Sequence, residues 1–398
     1  MTATPPLVAY ADGVDSPRSP PAAVVEAAGL PTAGQHEVLL GWTPEGRDWL
    51  ALPTVRGRTI MAGYALSAAV AEGRLRYLPV RLSALPRLVA DALRPEVAVV
   101  TGIRRGSELV FGASVGWGPA VARAARRLVV EVDPDGPDLG GPVIPGPVVA
   151  VVERPAHRAP APAPRPPAAV DHRIAAHVVG LLPDEPTLQF GPGGVAEAIL
   201  AALDRPVRIW SGLVTDAVAT LHDRGLLLGP ATAAYAWGGP ALAALAAAGQ
   251  LVLRPLEETH DLTRISGVER FVGCNTGLQV GLDGSVNVER VGGRLVAGVG
   301  GHADFCTAAA RSVGGLSIIA LPSTTRRGAS PIVAHVETTS TARCDVEVVV
   351  TEHGVADLRG VDDVERARRL VAVAAPEHRP QLHTAAADLP NQRPLEDR

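Results

Sequence analysis

Five stretches of the chain gather the residue types and spacings that could do chemistry. In "VEVVVTEHG" a buried strand runs straight into Thr351, Glu352 and His353. A carboxylate at the carboxyl end of a parallel strand suits acid-base work or substrate contact. A surface Glu paired with Arg359 would leave the same pattern. "EETHDLTR" sets His260 beside Asp261. Neighbours in sequence do not aim at one metal by default, and no other ligand spacing joins them, so no metal site is expected. A solvated polar loop is the other reading. In "AGVGGHADF", Gly300 and Gly301 precede His302 and could present backbone N–H groups as an oxyanion hole. The plainer reading is a turn with Asp304 capping a helix. "QFGPGGVAEA" places Gly191, Gly193 and Gly194 between a strand and a helix, open to an anion or carbonyl oxygen, or simply a tight connection. It does not match the GxGxxG dinucleotide pattern.

The fifth stretch is notable for what it lacks. "VRIWSGLVTDAVATL" reads as a strand over Val207–Trp210 and a helix over Leu213–Leu221. The expected turn, Ser211–Gly212, falls where an alternating α/β chain usually keeps its chemistry. It offers one hydroxyl and no carboxylate, thiol or imidazole.

Strand-helix alternation must position these stretches. In the first half "GRTIMAG", "LRYLPVRLS", "EVAVVTG" and "RRLVVEVD" read as strands, with "LSALPRLVADAL" and "GPAVARAARR" as helices. That order predicts a mostly parallel sheet with helices on both faces. "AHRAPAPAPRPPAAV", residues 156–170, is too rich in Pro for helix or central strand and reads as an interdomain linker. The alternation restarts with a helix over Ile174–Leu182 and the strand "TLQFG". Asp283-Gly284 marks a hairpin. "GLSIIALPS", "PIVAHV" and "DVEVVV" follow as strands, and a last helix spans Asp362–Ala374. Residues 1–30, rich in Pro, Ala and Ser, read as a flexible segment, and 385–398 as a mobile tail.

Composition narrows the classes. The 398 residues are 47% hydrophobic with mean hydropathy +0.18, enough for two domains with a sizeable core. No apolar run reaches the ~18 residues of a membrane span, and the first residues do not read as a signal peptide, so a cytoplasmic protein is expected. The net charge is −4 and no basic stripe stands out, so nucleic acid is not expected as a partner. All 37 basic Lys/Arg side chains are Arg. Without Lys, Schiff-base catalysis and a Walker-type phosphate loop are both excluded. Cys274, Cys306 and Cys344 lie far apart, without zinc-like spacing, and read as small buried residues of a reducing compartment.

Three long strings carry a family likeness: "TLQFGPGGVAEAIL", "VNVERVGGRLVAGVGGHADFCTAAARSVGGLSIIALPS" and "DVEVVVTEHGVADLRGVDDVERARRL". They resemble the acetyl-CoA hydrolase/transferase family, which includes the acetate and 4-hydroxybutyrate CoA-transferases. The likeness is strong from Ile174 to Leu382 and weaker in "RYLPVRLSALPRL" and "LVVEVDPDGP". It implies an α/β protein of two tandem open α/β domains of the CoA-transferase type, over 31–155 and 171–384, with the active site between them. In such a family a glutamate attacks the acyl-CoA, an anhydride forms, and CoA returns to give a glutamyl thioester. By resemblance, Gly301 with Gly300 beside it would hold the oxyanion, Glu352 would lie by the thioester, and His260 and Asp261 would border the site.

The nucleophile turn of the family reads roughly I-H-T-E-M, with an Asp just beyond. Here it reads Ile209-Trp210-Ser211-Gly212-Leu213, and Asp216 keeps the register. Gly212 thus occupies the nucleophile position, and His302 stands where the family has Gln. A glycine can form neither anhydride nor thioester. The expected function is therefore handling of the CoA thioester of a small carboxylic acid, in the CoA-transferase or acyl-CoA hydrolase class, without the glutamyl-CoA intermediate. Water or a second carboxylate would attack directly, with Glu352 or His260 as base. The alternatives are a non-catalytic paralogue that binds CoA esters or a companion subunit, and a Ser211 nucleophile served by His260. No permanently bound cofactor is expected; the ligands would be a coenzyme A ester and a small carboxylate, and the assembly a homo-oligomer or a pair with a companion subunit.

Overall fold

In the computed structural model, which describes residues 5–32, 34–154 and 166–387, the alternation closes into two eight-stranded sheets. The first holds β1 (Leu7–Tyr10), β2 (His36–Leu40), β3 (Val55–Thr59), β4 (Leu75–Tyr77), β5 (Val97–Arg105), β6 (Glu108–Val110), β7 (Arg127–Val132) and β8 (Val148–Glu153). Their order is β4-β3-β2-β1-β5-β7-β8, all parallel, with β6 antiparallel on β5. The first seven residues of β5, "VAVVTGI", are buried on both faces, which is how a central parallel strand reads.

β1 corrects the expectation of a flexible segment over residues 1–30. "LVAY" is buried throughout and pairs with β2 on one side and β5 on the other. Four apolar residues suffice when both faces are covered; the Pro-rich surroundings hid them. A helix over Pro21–Ala27 follows, with proline at its first position, where a missing N–H costs nothing.

The second sheet is built from β9 (Thr187–Phe190), β10 (Arg208–Val214), β11 (Ala231–Ala236), β12 (Leu251–Leu253) and β13 (Phe271–Asn275), then, after an excursion, three further strands. The excursion contains β14 (Gln279–Gly281), β15 (Val286–Asn287), β16 (Arg290–Val291) and β17 (Arg294–Leu295). The Asp283–Gly284 turn joins β14 to β15 as an antiparallel hairpin. β18 (Leu316–Ala320), β19 (Ile332–Val333), β20 (Val348–Thr351) and β21 (Gly354–Asp357) complete the set, and β19 pairs with β14. The large sheet has the order β12-β11-β10-β9-β13-β18-β20-β21, antiparallel only at β21.

β10 departs from its expected ending. It continues through Ser211 and Gly212 to Val214, paired with β11 as Trp210 with Thr232, Ser211 with Ala233 and Leu213 with Tyr235. The helix begins only at Asp216. The expected turn at Ser211–Gly212 and helix from Leu213 are thus corrected: pairing with a neighbouring strand holds the segment extended, overriding the local pattern. Most of the expected linker, 156–165, lies outside the described residues, and Ala169 already opens the helix Ala169–Leu181. A helix over Arg379–Ala387 absorbs the start of the expected tail; 388–398 lie outside the described residues. Cys274 and Cys306 are buried, but Cys344 is exposed, so the expected burial is found for two of the three thiols. No helix among the described residues is long and apolar enough to cross a membrane.

Backbone hydrogen bonds lock the two sheets together. Val115 and Gly116 N–H both donate to Ala234 O (3.0 and 3.2 Å), Ala236 N–H to Ala113 O (2.8 Å) and Leu256 N–H to Gly116 O (2.9 Å). One buried apolar cluster includes Val100 and Val121 of the first domain and Leu188, Ile209 and Val350 of the second.

Candidate active site between the two sheets

The carboxyl ends of both sheets open on one cavity of about 340 Å³. Asp12, Trp42 and Met61 follow β1, β2 and β3; Gly191, Gly212, Tyr235 and Thr276 sit at the ends of β9, β10, β11 and β13. This is where an open α/β sheet binds its ligands. Gly191, Pro192, Asn275 and Thr276 also line a second cleft of about 350 Å³, whose outer wall carries Thr324, Thr325 and Arg326. Gly193 and Gly194 line that cleft at the start of the helix Gly194–Ala202.

Alternation along β10 decides what faces the cavity. Trp210 and Gly212 share one face. Trp210 Nε1–H donates to Thr259 O (3.0 Å), and a methyl group placed on Gly212 would lie 3.5 Å from His260 Nε2 and 3.6 Å from Phe305. Ser211 points the other way, fully buried, and its hydroxyl donates to Phe190 O (2.8 Å). A Ser211 nucleophile served by His260 is therefore ruled out: the two lie on opposite faces of the strand.

His260 is buried against Phe305, with ring centroids 4.7 Å apart. Its Nδ1 lies 2.9 Å from Thr259 Oγ1, and that hydroxyl donates to Pro255 O at 3.2 Å. The hydroxyl thus accepts from Nδ1–H, which leaves the Nε2 lone pair turned to the cavity beside Gly212 and Gly301. Burial pushes the imidazole down to about 3, so it is neutral at any working pH.

Gly300 and Gly301 end the loop before the helix His302–Arg311. Among the described residues neither N–H has a protein acceptor, and both residues line the cavity. Gly301 has no room for a side chain: its methyl would sit 2.5 Å from His260 Nε2 and 3.0 Å from Phe305. His302 bridges two loops, with Nε2–H donating to Thr276 O (2.9 Å) and Nδ1 accepting from Thr341 Oγ1 (2.7 Å). Burial lowers it to about 4. Asp304 does not cap its helix. It reaches across to the first domain, accepting from Ser83 N–H (3.1 Å) and Oγ–H (2.6 Å), and burial lifts it to about 6.

The other carboxylates named from sequence lie elsewhere. Asp261 caps the short helix Leu262–Ser266, accepting from Arg264 N–H at 2.7 Å, and does not line the cavity. Glu352 sits at the end of β20 and accepts from Ser323 N–H (2.8 Å) and Oγ–H (2.7 Å). Burial works against its charge, but the Ser323 bonds prevail and hold it below the usual carboxylate range. It lines neither cleft; Arg359 pairs with Asp357 instead.

Several cavity residues went unnamed in the sequence reading. Asp12 is buried, accepts from Tyr235 O–H (2.8 Å) and keeps Oδ1 without a partner; burial lifts its carboxyl to about 7. Trp42 packs edge-on against Tyr64, Tyr235 and Trp237, at 5.8, 5.9 and 5.6 Å. The usable signal was "YADG", an acid directly after a buried strand, which the flexible reading of residues 1–30 concealed.

Two parallel α/β sheets sharing a cavity at their carboxyl ends define the CoA-transferase type of fold. RipA from Yersinia pestis has the same fold (TM-score 0.86, 24% identity, 97% of this chain and 94% of that one). So does a 4-hydroxybutyrate CoA-transferase from Porphyromonas gingivalis (TM-score 0.74, 24% identity, 96% and 93%). In sequence, residues 242–386 match the family described as the acetyl-CoA hydrolase/transferase C-terminal domain. The 4-hydroxybutyrate coenzyme A transferase of Clostridium kluyveri is 28% identical over 370 residues, 87% of this chain and 85% of that protein.

Proposed function

We propose that the protein binds an acyl-CoA across the two adjoining clefts and cleaves the thioester with water, without a glutamyl-CoA intermediate. One observation carries this reading: the room left at Gly212, which the family resemblance sets at the nucleophile position, opens onto His260 Nε2 and the free N–H groups of Gly300 and Gly301. The CoA arm would run along the cleft of Gly191, Gly193 and Gly194 towards Arg326. The thioester oxygen would rest on the Gly300 and Gly301 N–H groups, which need no reorganisation as negative charge builds up. Water held between Gly212 and His260 would attack the carbonyl carbon. The C–O bond forms, the C–S bond breaks, and the water proton passes through His260 Nε2 to the departing thiolate. Glu352, held by Ser323 outside both clefts, would support the β18 and β20 loops and take no proton.

A binding-only reading draws on His260 itself. A base pushed down to about 3 accepts protons poorly at neutral pH. The same cleft would then serve as a CoA-ester receptor.

The test is release of CoA thiol from a panel of acyl-CoAs, run beside calorimetric CoA binding. Thiol release that His260→Gln abolishes, with CoA binding intact, is the expected result. CoA binding without turnover supports the receptor reading. Neither binding nor turnover overturns both. Gly212→Glu adds a second arm: the methyl position has ordinary clearance, so a carboxylate can be built there, and borohydride should then trap a thioester on that residue.

A further inference from the structure

The lining of the cavity also bears on which acyl group it takes. The space of about 340 Å³ falls within the range of whole ligand sites. An acetyl group has three heavy atoms, and a single water takes about 30 Å³ of liquid volume. Acetate would leave most of the cavity to solvent. Much of the wall is apolar and aromatic, with Trp42, Tyr64, Leu82, Phe190, Leu213 and Phe305 prominent. Trp42 is half-buried, with Tyr64, Tyr235 and Trp237 edge-on around it, and Tyr64 holds a left-handed backbone (φ 55°) beside it. A strained, non-glycine conformation of this kind persists where surrounding structure imposes it.

Charge is equally one-sided. Among the described residues that line the cavity there is no Arg, and the chain has no Lys. His260 and His302 are neutral. Asp12 is the one formally acidic group, and its Oδ1 is already buried without a partner. A second carboxylate brought into this space, such as the free end of a dicarboxylic acyl chain, would lose its hydration and find no cation. A neutral chain meets mostly apolar surface.

We infer that the cavity selects the CoA thioester of a neutral, largely apolar or aromatic carboxylic acid of several carbons, and excludes both acetyl and dicarboxylic acyl groups, because a second carboxylate would find no cation there. This rests on the CoA-ester reading of the same site. The step concerned is binding, so it can be tested without turnover.

The probes are free CoA and four thioether analogues, S-ethyl, S-hexyl, S-benzyl and S-(3-carboxypropyl)-CoA, titrated calorimetrically into the full chain. S-hexyl- and S-benzyl-CoA should bind at least about tenfold more tightly than S-ethyl-CoA, since each methylene in an apolar pocket counts. The carboxypropyl analogue should bind no better than free CoA. Equal affinity for the ethyl and hexyl analogues, with free CoA bound, overturns the inference and leaves the CoA-ester reading standing. So does tight binding of the carboxypropyl analogue to the unmodified protein. Failure of free CoA and every analogue to bind overturns both.

Discussion

The same single methyl group should do opposite things at two glycines a few ångströms apart. Gly301→Ala places a carbon 2.5 Å from His260 Nε2, 2.7 Å from Cδ2 and 3.0 Å from Phe305. Real Cβ atoms do not approach so closely. The imidazole cannot swing aside, since Thr259 holds Nδ1 and Phe305 packs against the ring. Overpacking of this sort costs about 1–3 kcal/mol. Gly212→Ala places the same carbon 3.5 Å from His260 Nε2, an ordinary contact, in a paired and extended strand. There the added side chain should be neutral or stabilise by about 0.5–1 kcal/mol, because alanine loses less conformational freedom on folding. The two variants should thus differ by about 1–4 kcal/mol. For a domain of this size that is a separation in Tm of roughly 2–16 °C, at about 2–4 °C per kcal/mol. Thermal denaturation by circular dichroism measures it, and thiol release from a medium-chain acyl-CoA reports the chemical consequence. Activity should fall in both, by displacement of His260 in one and of the attacking water in the other. A Gly301→Ala protein as stable as the parent would refute the packing argument. Undiminished turnover in Gly212→Ala would refute the use of its space by water.

Three further outcomes follow from the same geometry. The depressed pKa of His260, about 3 against 6.5, means that the unfolded chain binds a proton the folded one refuses, so the contribution of His260 to stability is present above pH 6.5 and lost as pH falls towards 3. Relative to the parent, His260→Gln should therefore gain about 2 kcal/mol on going from pH 7.5 to pH 5, read from urea unfolding at both values; a constant difference would mean that the ring is protonated in the fold. Glu352→Gln should lower stability by about 1–3 kcal/mol through its Ser323 bonds and leave CoA-ester affinity and turnover within twofold, measured by denaturation and steady-state kinetics. Tyr77→Phe removes a hydroxyl that donates to Glu289 Oε1 (2.8 Å) and accepts from Val299 N–H (3.1 Å) across the domain seam. It should cost about 1–3 kcal/mol, and hydrogen exchange should speed up in the loop leading to Gly300.

Much of the architecture was legible without coordinates. Continuous apolar runs such as "EVAVVTG" and "DVEVVV" must be covered on both faces, and helical segments between them force parallel crossovers. The GVGG string pointed to glycines that line the cavity, whereas the TEHG string pointed to Glu352, which lies outside it. The absence of Lys excluded whole reaction classes, and a glycine at position 212 cannot itself form a glutamyl thioester. These properties reside in residue identity and short-range spacing, which no packing can alter.

Tertiary structure decided which of those residues meet. Ser211 and Gly212 are neighbours in sequence, but pairing with β11 makes the segment a strand, and a two-residue period sends one into the core and the other to the cavity. His260 and Asp261 are likewise adjacent. One turns inward under Phe305 while the other caps a helix at the surface. Glu352 carries the sequence signature of a catalytic carboxylate but is held by Ser323 outside the cavity. Asp12 lies 223 positions from Tyr235 and became part of the site only because two sheets present their carboxyl ends to each other. Side-chain direction and long-range juxtaposition are set by strand register and domain docking, sums over many contacts that no local window of sequence contains.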